Sequence, residues 1–184
     1  MQYYKNLTHN ILIQSGNKEY VRLSGMIYDS LVNGEGMRRV LFSQGCNHKC
    51  PGCFNTDTHD FNKGRLFNTE TIIKEIISDP LLDGVTFSGG DPFQQAHAFA
   101  YIAKELKFHN INIWAYTGYT FEKLVAKSTI DKDIYEMLHN IDVIVDGRFI
   151  QTLFDPSLKY RGSSNQRIID VKKSLEYNHV VLYI

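Results

Sequence analysis

The stretch QGCNHKCPGCFN, residues 44–55, holds all three cysteines of the chain, Cys46, Cys50 and Cys53, in a C-x3-C-x2-C run. Thiols this closely spaced within 184 residues imply a local task. Three thiolates without a fourth can bind a cubane iron-sulfur cluster through three irons and leave one iron open to a substrate. Tetrahedral zinc is the alternative; it needs a fourth ligand, for which His48 and His59 are at hand. Inert buried thiols are the third reading.

Further along, Gly89, Gly90 and Asp91 stand in SGGDP, directly after an apolar strand pattern. Paired glycines there let backbone approach a ligand and offer it amide or carbonyl groups. A simple tight turn is the competing explanation. Asp146 and Arg148 leave another apolar segment as DGR, and opposite charges at a pocket edge suit the two ends of an amino-acid-like ligand. Solvated loop charges are the alternative. Thr117 follows Trp114 and Tyr116, which read as core aromatics because strand residues alternate between buried and pocket-facing sides. His97 and His109 have no chemical partners nearby in sequence and read as structural.

These groups need strands and helices to bring them together. RRVLFS predicts a buried strand that delivers the chain into the cysteine loop. Asn68 caps a helix with Ile72, Ile73, Ile76 and Ile77 on one face, ending near Asp79-Pro80. GVTFSGG, INIWAY and IDVIVDG read as strands, separated by helical stretches at 93–108, TFEKLVAK and DIYEMLH. Alternating strand and helix predicts an α/β fold with a parallel sheet and right-handed crossovers. In such sheets reactive groups gather beyond the carboxyl ends of the strands. The cysteine loop, SGGDP, YTG and DGR all stand at such exits and predict one composite pocket. Around Ser15-Gly16-Asn17 the chain reads as a β-hairpin extension, and 151–184 as a loop followed by one or two strands at a sheet edge. The whole, 1–184, reads as one domain: hairpin 1–24, core 25–150, carboxyl-terminal part 151–184.

Composition is that of a soluble globular chain, 43% hydrophobic and 22% charged. Twenty basic residues balance twenty acidic ones, so the broad positive field of a nucleic-acid binder is missing. Neither a secretory signal nor a membrane-length apolar run is present. An odd number of cysteines suits reduced thiols in the cytoplasm.

The combination of CNHKCPGC, SGGDP and VDGRF resembles the radical S-adenosylmethionine superfamily. Adding VNGEGMRRVLF, WAYTGY and YRGSSNQR, the chain resembles, from about residue 25 to 167, the glycyl-radical activating enzymes of anaerobic ribonucleoside-triphosphate reductases. Glu35 departs from that pattern, since related activators commonly carry proline there. The resemblance implies a partial (β/α) barrel with an open side. It implies a 4Fe-4S cluster on Cys46, Cys50 and Cys53, with S-adenosylmethionine as second cofactor. Gly89, Gly90 and Asp91 would receive the methionine end of that molecule. Gly52, Cys53 and Phe54 would lie along it, Phe54 near the adenine, with Thr117, Asp146 and Arg148 as further contacts. The implied partners are the large subunit of the reductase, as protein substrate, and a reduced flavodoxin or ferredoxin-like electron donor; a homodimer is compatible with the pattern. Two other functions compete. One is another radical enzyme, such as a pyruvate formate-lyase activase or a deazaguanine-forming synthase, against which YRGSSNQR speaks. The other is a zinc-binding interaction module.

Overall fold

The computed structural model describes residues 19–184. The hairpin turn expected near Ser15-Gly16-Asn17 lies outside the described residues. Its expected second arm begins a long strand, β1 (Tyr20–Ser30). This strand belongs to the body of the protein, because Val21 and Leu23 are wholly buried and pack in the main core. The core therefore starts by residue 21, ahead of the expected boundary at 25.

β2 (Arg38–Ser43), β3 (Arg65–Asn68), β4 (Gly84–Gly89), β5 (Asn112–Tyr116), β6 (Val143–Asp146) and β7 (Arg167–Asp170) complete a seven-stranded sheet in the order β3-β1-β2-β4-β5-β6-β7. β2, β4, β5 and β6 are parallel neighbours. The expected parallel sheet forms the centre, and at both ends antiparallel strands extend it, β1 and β3 on one side and β7 on the other. Parallel pairing needs a long crossover, and only the connections between the four central strands carry helices suited to it.

Among the described residues there are five α-helices: α1 (Thr69–Ile77), α2 (Ala96–Phe108), α3 (Phe121–Ser128), α4 (Lys132–His139) and α5 (Val171–Tyr177). Four of them start on side-chain caps: Asn68, Thr120, Asp131 and Asp170 each accept a hydrogen bond from a backbone N–H of the first turn. The expected isoleucine stripe of α1 holds, with Ile72, Ile73 and Ile76 buried and Ile77 packed against the same core. Residues of α1 to α4 pack in one cluster with Leu41, Val85, Phe87, Ile113, Ala115 and Ile144 of the strands. Those strand positions alternate with Val40, Thr86, Ser88, Trp114 and Tyr116, so the helices cover a single face of the sheet. The Phe87 and Phe99 rings meet at 4.8 Å in the centre of that face. Replacing Phe87 by alanine there would cost about 3–5 kcal/mol in transfer and cavity terms.

The other face carries Trp114 with Val143, Val145 and Ile168. Trp114 is a core residue, as expected, held edge-on by Tyr160 and Tyr183 at 5.4 Å each. Of the one or two strands expected after the loop, β7 is one; a short helix, α5, follows it, and the apolar tail returns to the sheet edge through a single bridge between Leu182 and Ile169.

Candidate active site

β2 ends in Ser43, Gln44 and Gly45, all buried, and delivers the cysteine loop at the carboxyl end of the parallel strands. The loop is fixed by its own backbone and by one glutamine. Gly45 N donates to Thr58 O at 2.7 Å, and Cys46 N to His59 O at 3.2 Å. Gln44 Nε2 donates to the carbonyls of Asp57 and Asp60, at 3.1 and 2.7 Å. Between the thiols the chain turns through left-handed backbone at Lys49 and Gly52, with φ of 49° and 72°. The turn closes with Cys53 N donating to Cys50 O at 3.2 Å. Glycine suits the second of these positions because it meets no Cβ penalty there.

Cys46, Cys50 and Cys53 are free thiols and line one cavity of about 330 Å³. Burial pushes the Cys46 thiol up, so it holds its proton until a metal displaces it. Phe54, Ser88, Gly89, Gly90, Tyr116 and Thr117 line the same space. All four expected strand exits thus meet in this cavity, the last of them through Gly147, and Tyr116, expected to be a core aromatic, also faces it. Gly52 does not line it; a Cβ there would press on the Gln151 side chain at 2.8 Å.

The glycine pair is placed by close backbone packing. Gly89 has φ 92°, and a Cβ on it would lie 2.7 Å from the backbone of Phe42 and Ser43. A Cβ on Gly90 would land on the carbonyl oxygen of Gly45. Gly90 N donates to Ser43 O at 2.8 Å, and Asp91 N to Gly45 O at 3.0 Å, so the SGGDP turn lies directly against the entry to the cysteine loop.

Asp91 has a different place from the one expected beside a ligand. Its side chain is fully buried and all its contacts are internal. Oδ1 accepts from Phe93 N at 2.9 Å and so caps the 3-10 turn Pro92–Gln95. Oδ2 lies 2.6 Å from His48 Nε2, accepts from Thr117 Oγ1 at 2.9 Å and from Gly118 N at 3.0 Å. One carboxylate thereby ties the cysteine loop, the β4 exit and the β5 exit together. Asn47 and Gln94 add a second tie, Asn47 Nδ2 donating to Gln94 Oε1 at 3.0 Å while Gln94 Nε2 donates to Tyr119 Oη at 2.6 Å.

Asp146 and Arg148 are not paired with each other. Asp146 is buried, accepts from Phe121 N at 2.8 Å and binds Arg167, which also holds Glu122 through two contacts of 2.9 Å. Arg148 is exposed and lines a neighbouring groove. Gly147, at φ 95°, turns the chain between them, which separates two side chains that an extended strand would have kept on one side.

The segment RGSSNQR forms part of the cavity wall, a role invisible in its composition. Gln166 Nε2 donates to Gly147 O at 3.0 Å, Asn165 Nδ2 to Arg148 O at 2.9 Å, and Ile150 N to Ser163 Oγ at 3.2 Å. These bonds fold the segment over the β6 exit and bring Gly162 and Gln166 to the cavity. At its mouth Phe54 packs on Phe149 and Phe154, with ring centroids 4.8 and 5.6 Å away.

A three-thiol donor set beside a glycine cradle fits a cubane cluster with one open corner. A single zinc ion fits less well. Among the described residues no three His, Cys, Asp or Glu side chains converge closely enough to hold one metal ion, whereas zinc needs four donors within about 2.0–2.3 Å of one centre. His59 also lines the cavity, and its Nε2 is buried with no hydrogen-bond partner. His97 Nδ1 meets Asp133 at 2.9 Å, away from the cysteines, in keeping with a structural role.

Comparison with known proteins points to an iron-sulfur cluster domain. The family model for a 4Fe-4S single cluster domain matches residues 32–169. Proteins named anaerobic ribonucleoside-triphosphate reductase-activating protein are similar over most of the chain. That of Haemophilus influenzae is 40% identical over 148 residues, 75% of this chain and 90% of its own. Those of Escherichia coli K12 and enterobacteria phage T4 are each 40% identical over 74% of this chain, covering 90% and 86% of theirs. A solved structure, QueE from Escherichia coli, shares a partial likeness of shape, with a TM-score of 0.44 and 16% identity over 60% of this chain and 57% of that one. With its cluster-binding domain and these relatives, the chain belongs to the family of anaerobic ribonucleoside-triphosphate reductase-activating proteins.

Proposed function

We propose that this protein activates an anaerobic ribonucleoside-triphosphate reductase, using a 4Fe-4S cluster on Cys46, Cys50 and Cys53 and S-adenosylmethionine to place a radical on a glycine of that reductase. The observation that carries the reading is the single cavity in which all three thiols face the Gly89-Gly90 turn. With cluster and S-adenosylmethionine bound, the chemistry available is one-electron cleavage of the sulfonium, whose alkyl radical takes a hydrogen atom from the partner's glycine α-carbon.

The chain's own residues bind, aim and exclude water. Gly89 and Gly90 would offer their backbone to the methionine end of the ligand at the β4 exit, and their lack of side chains lets that turn pack against the entry to the cysteine loop. Thr117 and Tyr116 border the same space from β5, and Gly162 and Gln166 wall it from the last loop. Phe54, packed at tilted and edge-on angles against Phe149 and Phe154, would lie beside the adenine. Asp91 acts indirectly, by holding the cysteine loop against the strand exits. A reactive alkyl radical demands such enclosure, since exposed donors would quench it.

The architecture suits a protein substrate. A full (β/α)8 barrel has eight parallel strands; the four parallel strands here, with helices on one face, support the reading of a partial barrel. β3 and β7 form the two edges, and the open side between them would admit a loop carrying the glycine. Three unpaired thiols suit a reducing, cytoplasmic setting, and a reduced flavodoxin or ferredoxin-like protein would supply the electron.

The test is anaerobic incubation of cluster-loaded protein with reductant, S-adenosylmethionine and the reductase, followed by electron paramagnetic resonance. A glycyl doublet on the reductase is the expected result. Its absence, with the reductase competent toward another activator, would reject the assignment.

A further inference from the structure

A second and larger cavity, about 870 Å³, adjoins the cysteine site and shares His48, Gly118 and Gly147 with it. Part of its wall is the cysteine loop itself, since Asn47 and His48, which line it, stand between Cys46 and Cys50. The opposite wall is the outer face of α3. Its charges are unbalanced. Four cations and two carboxylates line it, and both carboxylates, Glu122 and Asp146, are bound by Arg167. That leaves Lys123, Lys127 and Arg148, all exposed and in no salt bridge among the described residues. Lys127 Nζ lies over the Tyr119 ring at 5.4 Å, which positions the charge without neutralising it.

We infer that this groove is the docking face for an acidic one-electron carrier protein that reduces the cluster. The inference rests on the function proposed above, because only a cluster-dependent cleavage calls for an external electron. The transfer is simple in balance: the carrier loses one electron, the cluster gains one, and no group moves. A small anion suits the groove poorly, because its unpaired cations sit on long exposed side chains. Such an arrangement steers a large acidic partner through its long-range field instead.

The double variant Lys123→Glu with Lys127→Gln tests this. Glutamate three residues after the Thr120 cap forms a favourable capping pair, so α3 is retained. Reduction of the cluster in the full, cluster-loaded protein is followed by stopped-flow absorbance, once with a reduced acidic ferredoxin and once with photoreduced deazaflavin. At about 0.01 M salt, where the screening length is about 30 Å, the variant is expected to be reduced by the ferredoxin about tenfold more slowly than the parent. At about 1 M salt, with screening at about 3 Å, the two rates converge. Deazaflavin reduces both proteins equally. An unchanged ferredoxin rate at low salt, or an equal loss with deazaflavin, overturns the docking site. Deazaflavin-reduced protein is then offered S-adenosylmethionine and the reductase. A missing glycyl radical in that arm counts against the proposed function alone, since it bypasses the carrier.

Discussion

His48 Nε2 lies 2.6 Å from Asp91 Oδ2, joining the cysteine loop to the β4 exit where the two side chains are 7% and 0% exposed. That carboxylate also accepts from Thr117 Oγ1, Gly118 N and Phe93 N. Removing it strands several buried donors at once. Asp91→Ala is predicted to lower the stability of the cluster-free chain by about 3–5 kcal/mol in urea unfolding, and to lower retained iron after anaerobic gel filtration. Asp91→Asn, which keeps one acceptor, should lose about half as much. A variant as stable as the parent would show that the tie is dispensable.

Gly90 leaves no room for a side chain, because a Cβ would collide with the Gly45 carbonyl directly before Cys46. Gly90→Ala must therefore shift the cysteine loop or the SGGDP turn. We predict at least about tenfold weaker S-adenosylmethionine binding by calorimetry, about 1.4 kcal/mol, in protein that still unfolds cooperatively. Gly89→Ala adds backbone strain at φ 92° and is expected to be the less stable of the two.

Phe54 is 66% exposed, yet packs on two other rings at the cavity mouth. Its truncation to alanine should change unfolding free energy by less than about 1 kcal/mol, as for other largely exposed positions. Binding of S-adenosylmethionine should weaken by up to about tenfold if the ring covers the adenine, since an aromatic pair contributes about 0.5–1.5 kcal/mol. Unaltered affinity would remove Phe54 from the ligand's surroundings.

Arg167 holds Glu122 well below the usual carboxylate range, at about 2, chiefly through their hydrogen bonds. The folded value lies below the unfolded one, so the associated stability is fully present above about pH 4.5 and is lost as pH falls towards 2. Glu122 is well exposed, so solvent screening keeps its share small. Arg167→Met should flatten the part of the acid unfolding profile between those limits, and should also leave buried Asp146 without its cation. An unchanged acid limb would show that the pair contributes nothing measurable.

Much of the scaffold was legible because its signals are local. Asn68 before the isoleucine stripe of α1, and apolar runs leading into SGGDP and DGR, each report a single element. Less legible were the places where one residue or one short connection redirects the chain. Gly147 separates Asp146 from Arg148, and the capped turn at Pro92 swings Asp91 inward, neither of which strand alternation anticipates. β3 and α5 are too short, at four and seven residues, to show a period. β3 exists through its pairing with β1 alone. The wall formed by RGSSNQR depends on bonds to residues up to nineteen positions away, which no motif spacing encodes.

The central claim is that Cys46, Cys50 and Cys53 hold a cluster with one corner left for S-adenosylmethionine. Electron paramagnetic resonance of the reduced, reconstituted protein, recorded with and without S-adenosylmethionine, tests it most directly. The account predicts about four irons per chain, a cluster signal whose g-values change when S-adenosylmethionine is added, and loss of that signal in Cys50→Ala. A colourless protein holding one zinc, or a cluster spectrum indifferent to S-adenosylmethionine, would contradict it.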